Sequence, residues 1–413
     1  MSNHAYESAA ALRPGSNGPI PISTLCERFS LAPASADDAA ALNDLSILGV
    51  SVDSGDTAPG ELFVGLPGFT AHGARFSDEA VGSGAVAVLT DADGALIAHE
   101  VAPGTPVLVH DNPRVVVGPL SAEVYHHPAR GLVTTAVTGT NGKTTTSYFL
   151  DAILSAHVGG CMVAGTVELR VGERSVESPR TTVEAPVLQR MMALAVEDRV
   201  GAASLEASSH AIVLHRLDGI VVDVAGFTNL QRDHLDFHKT MEGYLEAKAR
   251  LFTPEHARRG VICVDDQWGA ALAAQAPIEV DRVRAYPGDT PADWWVSDAA
   301  VSLTDSATTF TLHGPDGEQI EASCPLPGLV NVQNAALALV MAIRAGVPAA
   351  TATAALAGAH NIPGRMQRIS QRDGRRGLCI VDFAHTPEAM DLALKAVRPI
   401  TPGRLIVVFG SDG

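Results

Sequence analysis

Ala136-Val-Thr-Gly-Thr-Asn-Gly-Lys-Thr-Thr-Thr146 joins an apolar, β-branched run at 132–137 to a stretch of helical spacing at 144–154. A strand that stops in a glycine-bearing turn and restarts as a helix aims several backbone N–H groups, and the positive end of the helix dipole, at one point in space. Phosphate suits that point. Gly139, Thr140, Asn141, Gly142, Lys143, Thr144 and Thr145 are therefore the expected phosphate loop. Lys143 would bring charge to the β- and γ-phosphates of a nucleotide, and the Thr144 hydroxyl would enter the coordination shell of Mg2+. The longer form of this loop carries a further glycine where Val137 stands, so the strand before it and the helix after it carry the reading. ATP is the nucleotide expected.

The rest of the composition sets limits. A chain of 413 residues predicts two to four domains at roughly 100–200 residues each, and 46% hydrophobic residues can fill several cores. A formal charge of −17 argues against nucleic acid or an anionic membrane as partner, so an anionic ligand has to be met by local positive charge. Cys26, Cys161, Cys263, Cys324 and Cys379 show no paired spacing and read as thiols of a reducing compartment. The N-terminal decapeptide lacks a signal-peptide pattern, and no stretch reaches the roughly 18 apolar residues of a membrane span. A cytoplasmic monomer is expected.

Working outward from the loop, short strands at 60–66, 85–89 and 107–110, with helices at 76–83 and up to Tyr125, predict a small α/β unit. Beyond the loop, strands at 202–205, 221–228 and 260–264 alternate with helices at 185–197 and 241–252, the rhythm of a doubly wound parallel sheet. Short alternating strands follow at 296–303 and 308–312, then an alanine-rich helix at 331–345. A third region begins near Pro363 with a strand at 378–383, a helix at 387–397 and a strand at 405–409, expected as a parallel βαβ unit. Such a unit cannot cover its own sheet, so the expectation is an incomplete last domain. The division expected is 1–131, 132–362 and 363–413.

Two segments follow strands and so border the ligand crevice of an open α/β sheet: Leu205-Glu-Ala-Ser-Ser-His210 and Thr228-Asn-Leu-Gln-Arg-Asp-His-Leu-Asp236. Glu206 offers a carboxylate suited to Mg2+ and His234 a neutral imidazole. By spacing alone Lys248 is a solvent-facing helix residue, and Asn331 is the cap of the alanine-rich helix. Asp111-Asn-Pro-Arg114 reads as a turn and helix start, with Pro113 at the first helical position.

The succession TGTNGKTTT, RTT, EASSH, TNLQRDHLDFH, YLEAKARLF, GLVNVQNA, PGRMQRI and VDFAHTPEAM resembles the Mur ligases, in particular the branch that extends UDP-N-acetylmuramoyl-L-alanyl-D-glutamate. The likeness runs from about Ile47 to Gly413. It implies a three-domain α/β architecture: an N-terminal UDP-sugar domain, a central P-loop-type sheet and a C-terminal Rossmann-like domain. It implies an ATP-dependent amide ligase in peptidoglycan precursor synthesis, activating the precursor as an acyl phosphate for attack by L-lysine, meso-diaminopimelate or L-ornithine. Lys143, Lys248 and His234 then become catalytic, with Thr144, Glu206, His234 and Lys248, carbamylated by CO2, as Mg2+ ligands. Asn331, Asn334, Arg365 and Asp382 match ATP contacts, with His385 and Thr386 beside them. Ser54, Thr181, Thr182, Ser208 and Arg216 match contacts to the UDP-MurNAc-dipeptide.

The chain departs from the family pattern at Gly55, Val183, Leu214 and Phe383, which bears on nucleotide-sugar details more than on the reaction. The string Asp111–Arg114 spells a diaminopimelate-reading tetrapeptide of the family but stands in the N-terminal region, so the amino-acid pocket is expected beyond Gly413. Two alternatives stay open from sequence: another Mur-type or folylpolyglutamate-type ligase, and a nucleotide-binding fragment without turnover.

Overall fold

The computed structural model describes residues 11–301, 307–359, 362–370, 377–385 and 387–410. The N-terminal decapeptide, Thr386 and the last three residues lie outside them. The chain divides into two compact units: residues 1–132, 168–200 and 210–221 form one, and residues 133–167, 201–209 and 222–413 the other.

The first unit is built on a five-stranded sheet in the order Ala32–Pro33, Val107–Val109, Ala87–Thr90, Glu61–Val64, Gly49–Ser51. The Ala32–Pro33 pairing is antiparallel and the other three are parallel. Both faces are apolar because both are covered. One cluster gathers Ile47, Val50, Leu62, Leu89, Leu108 and Leu120, and a second Phe63, Ala80, Val88 and Ala98. The helix Pro113–Val124 starts at Asn112 with proline at its first position, as the tetrapeptide reading requires. Helix Ala185–Glu197 belongs to this unit, as does an antiparallel pair, Glu168–Val171 with Arg174–Glu177, that the sequence reading had not separated.

The second unit carries nine strands among its described residues. Their order is Cys161–Ala164, Ala202–Glu206, Val133–Thr138, Val222–Phe227, Ala257–Cys263, Val280–Arg284, Trp294–Val301, Thr308–His313, Gln319–Cys324. Pairings are parallel up to Trp294–Val301 and antiparallel after it. The expected doubly wound sheet is present. Strand order reverses at Val133–Thr138, whose neighbours are the strands that end in Glu206 and Phe227. Such a switch point opens a crevice at the strand C-termini.

Helix Leu329–Arg344 is buried almost all round, from Asn331 to Ala342, because small alanines let it press against the sheet and against helix Lys143–Val158. This corrects the capping role of Asn331. Gly328 holds the N-cap position, and Asn331 sits inside the first turn with its Nδ2 donating to the Pro327 carbonyl at 2.8 Å.

The third region also departs from expectation. Gln367–Ser370 pairs antiparallel with Cys379–Val381, and among the described residues no parallel strand joins them. Residues 405–409 take no strand conformation, and Ile406, Val408 and Phe409 are largely exposed. A β-branched run becomes a strand only when a neighbour accepts its ladder of backbone bonds, and no described strand lies beside this one.

Replacing Leu337, fully buried on the alanine-rich helix, by alanine leaves a cavity between helix and sheet. The expected loss is about 2–5 kcal/mol, read as a lower urea midpoint.

Candidate active site

Strand Val133–Thr138 ends in the loop 139–142, and helix Lys143–Val158 begins at once. Two glycines make the turn possible. Gly139 has φ +143 and Gly142 φ +94, values that L side chains avoid. A Cβ on the first would strike Thr228 Oγ1, and on the second Asn334 Oδ1. Gly142 is the N-cap and brings no side chain to close the first turn, which leaves that turn's donors for an anion.

The loop is braced by the neighbouring strand end. Thr228 Oγ1 donates to the Asn141 carbonyl at 2.6 Å, Asn141 N–H donates to Asn229 Oδ1 at 3.1 Å, and Asn141 Nδ2 to Gln231 Oε1 at 2.8 Å. Thr140 N–H donates to the Asn229 carbonyl at 2.9 Å, and the Gln231 N–H to Thr140 Oγ1 at 2.9 Å. These bracing side chains were not singled out from sequence. Their signal was their place immediately after a strand, in the segment already marked as crevice-facing.

Around the loop the structure brings together most of the expected residues. Thr144 Oγ1 donates to Glu206 Oε2 at 3.1 Å, and Glu206, 1% exposed, also accepts from the Thr166 N–H and hydroxyl at 2.9 Å each. Arg365 Nη2 donates to Thr144 Oγ1 at 3.2 Å, and its guanidinium lies 4.8 Å from the Phe383 ring centroid. Lys143 Nζ donates to the carbonyls of Gly139 and Thr140, both at 3.0 Å. Lys248 is not the solvent-facing residue its spacing suggested. It is 1% exposed, its Nζ donates to the Gly139 carbonyl at 2.9 Å, and it lies 4.4 Å from the centre of the Tyr244 ring.

Crowding three cations in a buried place has an electrostatic consequence. Burial, and then the charge of Lys143, push the Lys248 amine well below the ordinary lysine range. Burial likewise lowers Lys143, opposed by Glu206 and reinforced by Arg365. Burial lowers Arg365 too, against the pull of Glu206 and Asp382.

His234 sits at φ +52 before the short helix Leu235–His238, about half exposed. Its ring meets Asp233 at 3.4 Å and Tyr244 edge-on at 6.3 Å. Asn334 is buried with its Oδ1 unpartnered beside Gly142, the condition of a group waiting for a ligand. Asp382 accepts from the backbone N–H groups of Met366 at 2.8 Å and Ala384 at 2.9 Å, and His385 is exposed. Asp265, missed from sequence, accepts from Gln333 Nε2 at 2.7 Å and so ties the alanine-rich helix to the end of strand Ala257–Cys263. Ser208 follows Glu206 and is half-buried.

No three His, Cys, Asp or Glu side chains converge among the described residues. The donor set of Thr144 hydroxyl and Glu206 carboxylate nevertheless fits Mg2+, which binds through one or two protein oxygens and takes its remaining ligands from phosphate and water.

The first unit holds two cavities of about 290 and 410 Å3 that share Val52, Asp53, Arg180 and Glu184; of the expected substrate residues Ser54 lines the larger, and Thr181, Thr182 and Arg216 line neither. Ser54 Oγ donates to Glu79 Oε2 at 2.8 Å. Arg216 donates to the Thr182 carbonyl at 3.1 Å and pairs with Glu184 at 2.9 Å. Thr182 is buried and Thr181 half-buried.

The two-glycine turn makes a local prediction. Gly142→Ala should destabilise the protein by more than the roughly 1 kcal/mol of a strained backbone, because the methyl also meets Asn334. Gly159→Ala, at φ +84 in open space, is the control in the same calorimetric comparison.

Comparison with known proteins agrees with this geometry. The Mur ligase family catalytic domain matches residues 46–125, the Mur ligase middle domain 137–342, and the Mur ligase glutamate ligase domain 364–413. A Streptomyces coelicolor protein named UDP-N-acetylmuramoyl-L-alanyl-D-glutamate–2,6-diaminopimelate ligase is 42% identical over 402 residues, 97% of this chain and 77% of that protein. A UDP-N-acetylmuramyl-tripeptide synthetase of Leifsonia xyli is 41% identical over 409 residues, 98% of this chain and 77% of that one. Among solved structures, a UDP-N-acetylmuramoyl-L-alanyl-D-glutamate–2,6-diaminopimelate ligase superposes with TM-score 0.69 at 31% identity, covering 86% of this chain and 70% of that one. MurF from Acinetobacter baumannii shares the fold at 19% identity and TM-score 0.68, covering 92% and 77%. With its glycine turn at the sheet's switch point and matches along most of its length, the chain belongs to the Mur ligase family.

Proposed function

We propose that the protein is the ligase that adds a diamino acid to UDP-N-acetylmuramoyl-L-alanyl-D-glutamate at the expense of ATP, in peptidoglycan precursor synthesis. The observation that carries this reading is the cluster of Lys143, Lys248 and Arg365 around the glycine turn, with Thr144 and Glu206 hydrogen-bonded beside it. Phosphoryl transfer asks the protein for alignment and charge neutralisation more than for covalent help. Loop 139–145 cradles the phosphates of ATP, and Lys143 and Arg365 offset the charge that develops on the γ-phosphoryl group. Asn331 and Asn334 take the adenine and Asp382 the ribose. The precursor's free glutamyl carboxylate accepts the phosphoryl group, and the amine of the diamino acid then displaces phosphate to form the amide. Thr144 and Glu206, with His234 as a further ligand, would hold Mg2+, which would add neutralisation of the phosphate charge.

Lys248 enters as a carbamate. Only a neutral amine adds to CO2, losing one proton to become an anionic oxygen donor, and burial beside Lys143 favours that neutral form. An acidic carbamate also relieves the crowding of cations.

By chain order, residues 1–131 serve UDP-sugar recognition and 132–362 ATP and ligation, and 363–413 start the amino-acid-binding domain. Ser54, Thr181, Thr182, Ser208 and Arg216 hold the UDP-linked dipeptide. The names of the relatives favour 2,6-diaminopimelate over lysine or ornithine as the amino acid. The cytoplasm is the proposed setting, in keeping with five cysteines of which none is disulfide-bonded, and a monomer the proposed state.

Incubation with UDP-MurNAc-L-Ala-D-Glu, Mg-ATP and each diamino acid in turn should give ADP, phosphate and a tripeptide product by mass, most rapidly with diaminopimelate. Lys143→Ala should lower kcat by about 10²- to 10³-fold. Lys248→Ala should lose most activity and regain part of it with added short-chain carboxylic acids; full activity without them would refute the carbamate.

A further inference from the structure

Strand Cys161–Ala164 runs parallel to strand Ala202–Glu206, with Ala164 opposite Leu205. The two residues that follow it, Gly165 and Thr166, therefore arrive level with the Glu206 carboxylate. Neither was singled out from sequence. Gly165 leaves the room for that approach, because a Cβ at this position would strike Glu206 Oε1. Thr166 then gives both of its donors to the one carboxylate, its N–H to Oε1 and its hydroxyl to Oε2, each at 2.9 Å.

That pair of bonds does more than satisfy a buried charge. Glu206 is 1% exposed, and a carboxylate so far out of water has to be hydrogen-bonded. Lys143 and Arg365 also feel its charge, but Coulomb attraction has no preferred direction and leaves the carboxylate free to turn. Two donors from one residue, one on each oxygen, hold its plane as well as its place. Oε2 accepts the Thr144 hydroxyl at 3.1 Å as well, so the exit of one strand is tied through Glu206 to the first turn of helix Lys143–Val158. Orientation matters for the ion this donor set fits, because Mg2+ demands near-ideal octahedral geometry from its oxygens.

We infer that Thr166 is a positioning residue for the divalent metal: through Glu206 it sets how tightly the catalytic unit holds Mg2+ beside a nucleotide. This rests on the role given to Thr144 and Glu206 in the function proposed above. Groups that hydrogen-bond a metal-ligating carboxylate fix its direction, and their loss is felt at the metal although they never touch it.

The test uses Mn2+ as the probe, followed by electron paramagnetic resonance with the full chain and ADP, beside calorimetric titration of ADP in EDTA. Thr166→Ala should weaken Mn2+ binding to the ADP complex by about 10- to 100-fold and leave metal-free ADP affinity as in wild type. Thr166→Val, which keeps the size without the hydroxyl, should lose as much, whereas Thr166→Ser keeps both donors and should restore most of the affinity. Wild-type Mn2+ binding in Thr166→Ala, or a loss shared equally by metal-free ADP and by Thr166→Ser, would overturn the inference and leave the proposed function standing. Wild-type protein that binds ADP no better with Mn2+ than in EDTA would overturn the metal role of Thr144 and Glu206. Failure to bind ADP under either condition would overturn the proposed function itself.

Discussion

Positive charge held out of water around one glycine turn is the constraint on which the catalytic unit depends. Lys143 and Lys248 both donate to the Gly139 carbonyl, Arg365 reaches Thr144, and Glu206 accepts from Thr144 beside them. Cations so placed are costly unless anions join them, and burial accordingly lowers all three. The arrangement is therefore incomplete by itself. It is poised for a polyphosphate, and for an amine that can become an acid.

The parallel sheet makes that concentration of charge possible. Strands Ala202–Glu206, Val133–Thr138 and Val222–Phe227 lie side by side in register, with Glu206 opposite Val137 and Phe227 opposite Thr138. Three chain segments far apart in sequence thus end at the same level. Buried flanking helices hold the strands rigidly, so the side chains after them are fixed to the precision of the packing. The alanine-rich helix shows the same economy: its small residues let Asn334 approach Gly142 closely enough that only a glycine fits there.

The first unit arranges its charges differently. Instead of backbone N–H groups and a helix start alone, it concentrates guanidiniums on a shared carboxylate, which orients them without cancelling them.

Local pattern was enough to reveal the glycine turn between strand and helix, the doubly wound rhythm and the helix start at Pro113, because each follows from glycine placement, period and cap chemistry within a few residues. Lys248 shows the limit of such reading: its helix Met241–Ala249 mixes apolar and charged residues without a clear apolar face, and only the packing of that helix against the loop buries the amine. Asn331 was misread for a related reason, since the helix begins three residues earlier at Gly328, where the backbone at φ +93 turns. The run at 405–409 had strand composition without a partner, and composition cannot supply one. The pairing of Arg114 with Glu184, 70 residues further along the chain, was not legible either, because no local pattern announces it. Sequence by itself determined which backbone turns and elements could form. Tertiary structure alone decided which charges share a low-dielectric space, because Coulomb interactions depend on distance and burial that no local spacing encodes.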